Sequence, residues 1–340
     1  MERPNDGAQS GHNNTVQEMK ITRIEFSNYK AMQDFTLELG EVNLLVGKNN
    51  SGKSTILSAL RILEYAMRIA QARAATRVED AEGKVTLGHY IPDANLPTSI
   101  ENVHTDYTDV STLITFTLEN GNSLFLHFPR DGGCILYWEA AKTISSPAQF
   151  RQQFPLLIRA VPVLGPLEQE ELLVTDETVK RAAGTPRAAR HFRNYWYRNR
   201  ECFPDFREMI ESTWSGMSIA MPELHAEDRR LVMFCTERRI DRELFWAGFG
   251  FQIWCQLLTH LARAEDADLI VVDEPEVYLH PDVQRQLLPL LRTLGPSILL
   301  ATHSAAVLSG AQDGEILLVD KRQNGTSRLS REDVASMYSR

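Results

Sequence analysis

Gly47, Gly52, Lys53 and Ser54 stand at G-x-x-x-x-G-K-S spacing, the strongest chemical signal in the chain. Glycines at both ends of a short loop let the backbone turn its N–H groups inward around phosphate oxygens. The lysine would reach β- and γ-phosphates, and the next hydroxyl would suit Mg2+. The whole loop is Gly47, Lys48, Asn49, Asn50, Ser51, Gly52, Lys53, Ser54 and Thr55. Two apolar runs end in groups that fit the same chemistry. "LIVVDE" ends in Asp273 and Glu274, and "SILLATHS" carries His303. Parallel α/β sheets place their chemistry at such strand ends. Asp273 is expected to hold Mg2+, and Glu274 to polarise an attacking water; adjacent acids after an apolar run are costly without a cation or partners. His303 is expected to donate to a γ-phosphate, the alternative being a satisfied structural imidazole. In "FWAGFGFQIWCQLLTHL", Gly248 and Gly250 precede a long helix. Its N-terminal amides form a second anion site, expected to face a partner copy's triphosphate; the alternative is a helix packed closely through its glycines.

The elements that must position these groups follow from periodicity. Residues 42–46 read as a buried strand, and Ile56, Leu57, Leu60, Leu63 and Met67 give residues 54–69 a helical spacing. Strand, glycine loop and helix is the context a phosphate loop requires. Strands are expected at 21–26 and 35–39, an irregular segment at 77–102, and an antiparallel meander over 111–140. A strand is expected to end at Pro166, followed by helical structure over 168–216 broken at 184–186 and at Pro204. Strands are expected at 218–221 and 231–235, a helix at 251–264, then strand, helix and strand through His303, and a last strand at 315–319.

Bulk properties narrow the class. The chain has 340 residues, 43% hydrophobic and 24% charged, as soluble domains do. It lacks a run of eighteen apolar residues and an apolar N-terminal core, so neither a membrane span nor a signal peptide is expected. Four cysteines without C-x-x-C spacing fit a cytoplasmic protein. A net charge of −9 restricts any nucleic-acid contact to a local basic patch. Residues 178–200 supply one, with Arg187, Arg190, Arg193, Arg198 and Arg200, no acid, and Tyr195 and Trp196 interleaved. Three readings stand: phosphate-backbone and base contact, a protein interface, or a helix with core aromatics and solvated arginines.

The order "GKNNSGKST", "GFGFQ", "VVDEPEVYLHPDVQ", "LLATHS", opened by "IEFSNYKAM", resembles the ABC-class ATPases of the SMC/RecF/OLD type. D-E-P-E-x-Y-L-H-P with a downstream A-T-H-S is similar to OLD-like AAA ATPases, including ATPase subunits of anti-phage systems such as Septu and PARIS. The resemblance covers about residues 20–320. It implies an α/β P-loop head with a mixed sheet, an antiparallel meander lobe and a helical lobe. It implies ATP and Mg2+ as ligands, Ser54 and Asp273 toward the metal, and Lys53, Glu274 and His303 as catalytic groups. Gly248, Gly250 and Gln252 would be the signature facing the partner's γ-phosphate, and residues 278–282 would touch that partner. Ala247 and Phe249 depart from the common S-G-G-Q form. Gln169 is the candidate for the magnesium-contacting glutamine. The expected division is a disordered tail (1–19), an ATP-binding lobe (20–166), a helical lobe (167–217), a second ATPase lobe (218–325) and a tail (326–340). The implied function is an ATP-hydrolysing homodimer in defence or DNA repair, acting on DNA or controlling an effector. With no room seen for a Toprim domain after His303, any nuclease would be separately encoded. A non-catalytic ATP-dependent scaffold and a RecF-like repair ATPase are the alternatives; a transporter subunit fits less well.

Overall fold

The computed structural model describes residues 19–92, 96, 103–104, 110–182, 186–330 and 333. The first eighteen residues of the expected tail lie outside these. Met19, its last residue, is buried, and its amide donates to Asp268 Oδ1 at 3.0 Å.

Apolar residues at alternate positions build the first sheet. Strands β1 (Ile21–Tyr29) and β2 (Met32–Glu38) form a hairpin, then β3 (Val42–Val46) leads into helix α1 (Lys53–Ala72). After β4 (Thr76–Glu79) and β5 (Val85–Ile91) comes the meander β6 (Thr112–Leu118), β7 (Ser123–Phe128) and β8 (Cys134–Glu139). All seven strands other than β3 join one antiparallel sheet in the order β2-β1-β6-β7-β8-β5-β4. The segment 77–102, expected to be irregular, thus contributes a hairpin. Val78 at 2% exposure and Ile91 at 3% anchor it, although the turn residues between them hid the pattern.

Helix α2 (Pro147–Gln153) and short β9 (Ile158–Ala160) lead to β10 (Glu171–Leu172). The strand expected to run to Pro166 therefore ends at Ala160. The helical lobe holds α3 (Asp176–Ala182), a 3-10 turn (Pro186–His191), α4 (Phe192–Arg198) and α5 (Phe203–Thr213). The break expected at Pro204 falls between α4 and α5, with Pro204 in the first turn of α5, where an early helical position needs no N–H. Strands β11 (Met217–Ile219), β12 (Glu223–His225), β13 (Arg230–Val232), β14 (Phe234–Glu237) and β15 (Ile240–Glu243) form two small sheets, β10-β13-β12 and β11-β14-β15.

The last third completes the central sheet. After α6 (Phe249–Ala262) come β16 (Leu269–Asp273), α7 (Pro281–Thr293), β17 (Ser297–Ala301), α8 (Ala305–Leu308), β18 (Ile316–Leu318) and β19 (Ser327–Leu329). The strand order is β19-β18-β3-β17-β16-β9, parallel except for β19, which lies in the segment expected to be a terminal tail. Its two faces fill different cores. Leu45, Val271, Leu299 and Leu317 pack toward α1 and the meander sheet, while Leu44, Val272, Ile298 and Leu300 pack toward α6 and α7. Burial on both faces explains the unbroken apolar runs of these strands.

Candidate nucleotide site

Three parallel strands converge on one end of the central sheet. β17 lies between β3 and β16, so the loop after β3, the acids after β16 and the imidazole after β17 emerge as neighbours. In the loop, Gly47 has φ +153° and a Cβ there would lie 2.5 Å from the Val319 carbonyl oxygen. Gly52 has φ +114° and a Cβ would lie 2.6 Å from Met32 Cε. Only glycine meets both demands. Among the described residues, the amides of Lys53 and Ser54 have no backbone acceptor, no side chain caps α1, and its first turn holds no acid. Ser51 Oγ is buried without a hydrogen-bond partner among the described residues. Uncovered amides, an orphaned hydroxyl and the positive end of a 20-residue helix fit a phosphate chain. Lys53 is buried within the loop, where Nζ donates to the carbonyls of Gly47 at 3.0 Å and Lys48 at 3.4 Å. Burial lowers its pKa, opposed by the charges of Glu274, Asp273 and Glu276.

Ser54, Asp273 and Glu274 line one cavity of about 170 Å3, together with Val161, Pro162, Val163 and Leu164. Desolvation raises the Asp273 pKa, while Arg61, whose Nη2 lies 3.3 Å from Oδ2, opposes it. The oxygen donors of Ser54 and Asp273 at this mouth fit a hard cation such as Mg2+. Glu274 takes a left-handed backbone, φ +44°, and its N–H donates a hydrogen bond to the Ala301 carbonyl at 2.9 Å. Its Oε1 is 3.2 Å from His303 Nε2. The three motifs read from sequence are therefore brought together.

The signature residues divide. Gly248 precedes α6, and Gly250 lies in its first turn, where a Cβ would come 2.8 Å from the Tyr278 carbonyl oxygen. Close packing accounts for Gly250. Gln252 does not face outward. It is 1% exposed, its Oε1 accepts from the Leu167 amide, and its Nε2 donates to the Phe245 and Ala247 carbonyls at 2.7 and 2.9 Å. This corrects its expected contact with a partner's phosphate, since both Nε2 hydrogens, the side chain's only donors, are used internally. Gln169 is exposed on the segment after the cavity wall. Around the α6 start, Trp246, Phe249, Val277 and Tyr278 are 67%, 56%, 47% and 66% exposed, and the Phe249 and Tyr278 rings lie 6.3 Å apart.

The basic segment divides too. Arg193 is fully buried, with Nη2 2.6 Å from Glu243 Oε1 and Nη1 3.5 Å from Glu171 Oε2. Trp196 is 1% exposed, stacked on Phe206 with its indole N–H donating to Thr259 Oγ1. These two cannot touch nucleic acid without unfolding the lobe, which corrects their place in the contact surface. Tyr195 is half-buried, with the Arg263 guanidinium 5.1 Å from its ring centroid. Arg187, Arg190 and Arg200 are exposed; Arg190 pairs with Glu168, Arg198 donates to the Val174 carbonyl, and Arg200 lies over the Tyr197 ring. Sequence reading missed Arg61, although it lies seven residues after Ser54 and so shares its helix face. It also missed Glu276, the second glutamate of D-E-P-E, whose partners lie 26 and 27 residues away.

Known proteins share parts of this sequence and its fold. A family model described as "AAA domain, putative AbiEii toxin, Type IV TA system" matches residues 145–309, and one described as "AAA ATPase domain" matches residues 19–116. The Old nuclease of Escherichia phage P2 is 41% identical over 114 residues, a match spanning 29% of this chain and 20% of that protein. The Smc head domain of Pyrococcus furiosus, solved bound to the C-terminal domain of ScpA, superposes with a TM-score of 0.57 at 13% identity, covering 94% of this chain and 99% of that one. The recombination mediator protein RecF, solved with ATP, gives a TM-score of 0.50 at 11% identity, covering 92% and 99%. No helix among the described residues is long and apolar enough to cross a membrane. In motif order, partial family-model matches and fold, the chain is similar to the OLD/SMC/RecF-like ABC-type ATPases.

Proposed function

We propose that this chain binds ATP with Mg2+, hydrolyses it, and closes on a second copy around the nucleotide, acting on DNA or controlling a separate effector such as a nuclease. One observation carries the reading: Ser54, Asp273 and Glu274 share a cavity although more than 200 residues separate them, and His303 lies 3.2 Å from Glu274. The free loop amides and Lys53 would bind phosphate oxygens. Ser54 and Asp273 would hold Mg2+, which supplies charge neutralisation at the phosphates. Glu274 Oε1 would accept the proton of a water that attacks the γ-phosphorus, with the bond to the ADP oxygen breaking in line. His303, beside it, would donate to the γ-phosphate.

A second copy is favoured by the exposed group of Trp246, Phe249, Val277 and Tyr278 beside the α6 start. Neighbouring exposed aromatics such as Phe249 and Tyr278 suit an interface. The DNA or effector role draws on relatives described as a nuclease and as a recombination mediator. The test uses Glu274→Gln, which keeps the side-chain shape and removes the base. ATP turnover is expected to fall about 100-fold or more, while light scattering with ATP and Mg2+ shows a lasting dimer. A variant that turns over ATP at the wild-type rate, or stays monomeric under ATP, would sink the reading.

A further inference from the structure

Glu276 takes no direct part in the chemistry above, yet it grips one of its members. Its Oε1 accepts from the Thr302 hydroxyl at 2.7 Å and from the His303 backbone amide at 2.6 Å. Its Oε2 is buried and makes no hydrogen bond among the described residues. Charge-assisted bonds this short restrain both partners strongly. A second brace runs parallel to the first. Gln284 Nε2 donates to the carbonyls of Glu276 at 3.2 Å and Leu279 at 2.8 Å, while its Oε1 accepts from Ser304 Oγ at 2.5 Å. The segment after β17 and the loop after β16 are thus tied at two points. The same loop carries the exposed Tyr278 on its outer side, and its backbone there packs against Gly250 of α6.

We propose that Glu276 is a positioning residue that sets His303 against Glu274. This rests on the ATP-hydrolysing reading of the site. The clamp itself is a property of the fold that can be measured without turnover. Glutamine at this position keeps a carbonyl oxygen for both bonds and loses the charge; alanine loses the bonds.

The experiment compares Glu276→Ala and Glu276→Gln in the full chain. Amide exchange across residues 302–304 is measured without nucleotide, and kcat and KM are measured with ATP and Mg2+. Glu276→Ala is expected to speed exchange at these residues about tenfold or more. It should lower kcat about 10- to 100-fold with KM within about twofold, the mark of a misplaced group rather than lost binding. Glu276→Gln should restore both to within about threefold of wild type, since its oxygen accepts both bonds. Wild-type exchange at 302–304 in Glu276→Ala overturns the proposal. So does a Glu276→Gln variant as slow as Glu276→Ala, because the charge on Oε2 would then be what acts. If the wild-type protein hydrolyses no ATP, the reading of the site fails, and the exchange comparison still decides the clamp.

Discussion

Replacing Arg193 with methionine separates two readings of the basic segment. The guanidinium is fully buried and bound to Glu243 at 2.6 and 3.0 Å, to the Glu168 carbonyl at 3.0 Å and to Glu171 at 3.5 Å. Methionine fills much of the volume but leaves the Glu171 carboxylate, at 1% side-chain exposure, without its cation. Glu171 still accepts the backbone amides of Arg193 and Asn194, so its hydrogen bonds persist while its charge is uncompensated. Breaking such a buried pair from one side costs about 3–5 kcal/mol. At about 2.1 cal/mol/K per residue over 340 residues, the unfolding entropy is about 0.7 kcal/mol/K. The thermal midpoint should then fall by about 4–7 °C. Calorimetry of Arg193→Met beside Arg198→Ala and Arg200→Ala checks this, the last two being expected to cost under about 0.5 kcal/mol each. Nucleic-acid affinity measured against salt completes the comparison, because a lost phosphate contact lowers the salt slope by about 0.9. An Arg193→Met protein that melts with wild type yet shows the reduced slope would refute the structural assignment.

Three further outcomes are expected. Lys53→Ala should weaken ATP binding by about 1.5–3 kcal/mol, roughly 10- to 150-fold, from the lost charged hydrogen bonds, with little change in melting because Nζ bonds only to two loop carbonyls; titration calorimetry reads both binding constants. Phe249→Ser with Tyr278→Ser should abolish ATP-dependent self-association and leave the monomer's nucleotide affinity within about twofold, since exposed aromatic anchors carry much of an interface's energy; sedimentation with and without ATP decides it. His89 and His127, 6% and 7% exposed, have pKa values lowered by desolvation. The unfolded chain takes up these protons near pH 6.5 and the folded chain only at lower pH. Their contribution is therefore intact above pH 6.5 and lost below it, by up to about 1.4 kcal/mol per pH unit for each group. Urea unfolding between pH 7 and 5 should show that slope, and His127→Leu should reduce it by one group's share, with His89, His191 and His260 still contributing.

The amino-acid sequence alone marked the parts of the candidate site. Gly47, Gly52, Lys53 and Ser54 are legible because a loop of this kind is local: its turns, amides and lysine lie within eight residues. Asp273, Glu274 and His303 are legible because doubly buried strands read as unbroken apolar runs, which makes the polar residue at each end conspicuous. Tertiary structure alone decided which way other polar side chains turn. Gln252 stands where an outward signature glutamine was expected, and Leu167, 85 residues away, turns it inward. Arg193 and Trp196 look like a contact surface until Glu171, Glu243 and Thr259 come to meet them from other elements. Glu276 reads as a polar loop residue until β17 delivers Thr302 and His303 to its carboxylate. The physical reason is common to all of these. A backbone conformation and a strand's apolarity are set by near neighbours, whereas the fate of a buried polar group depends on partners that only the folded chain brings within hydrogen-bonding distance.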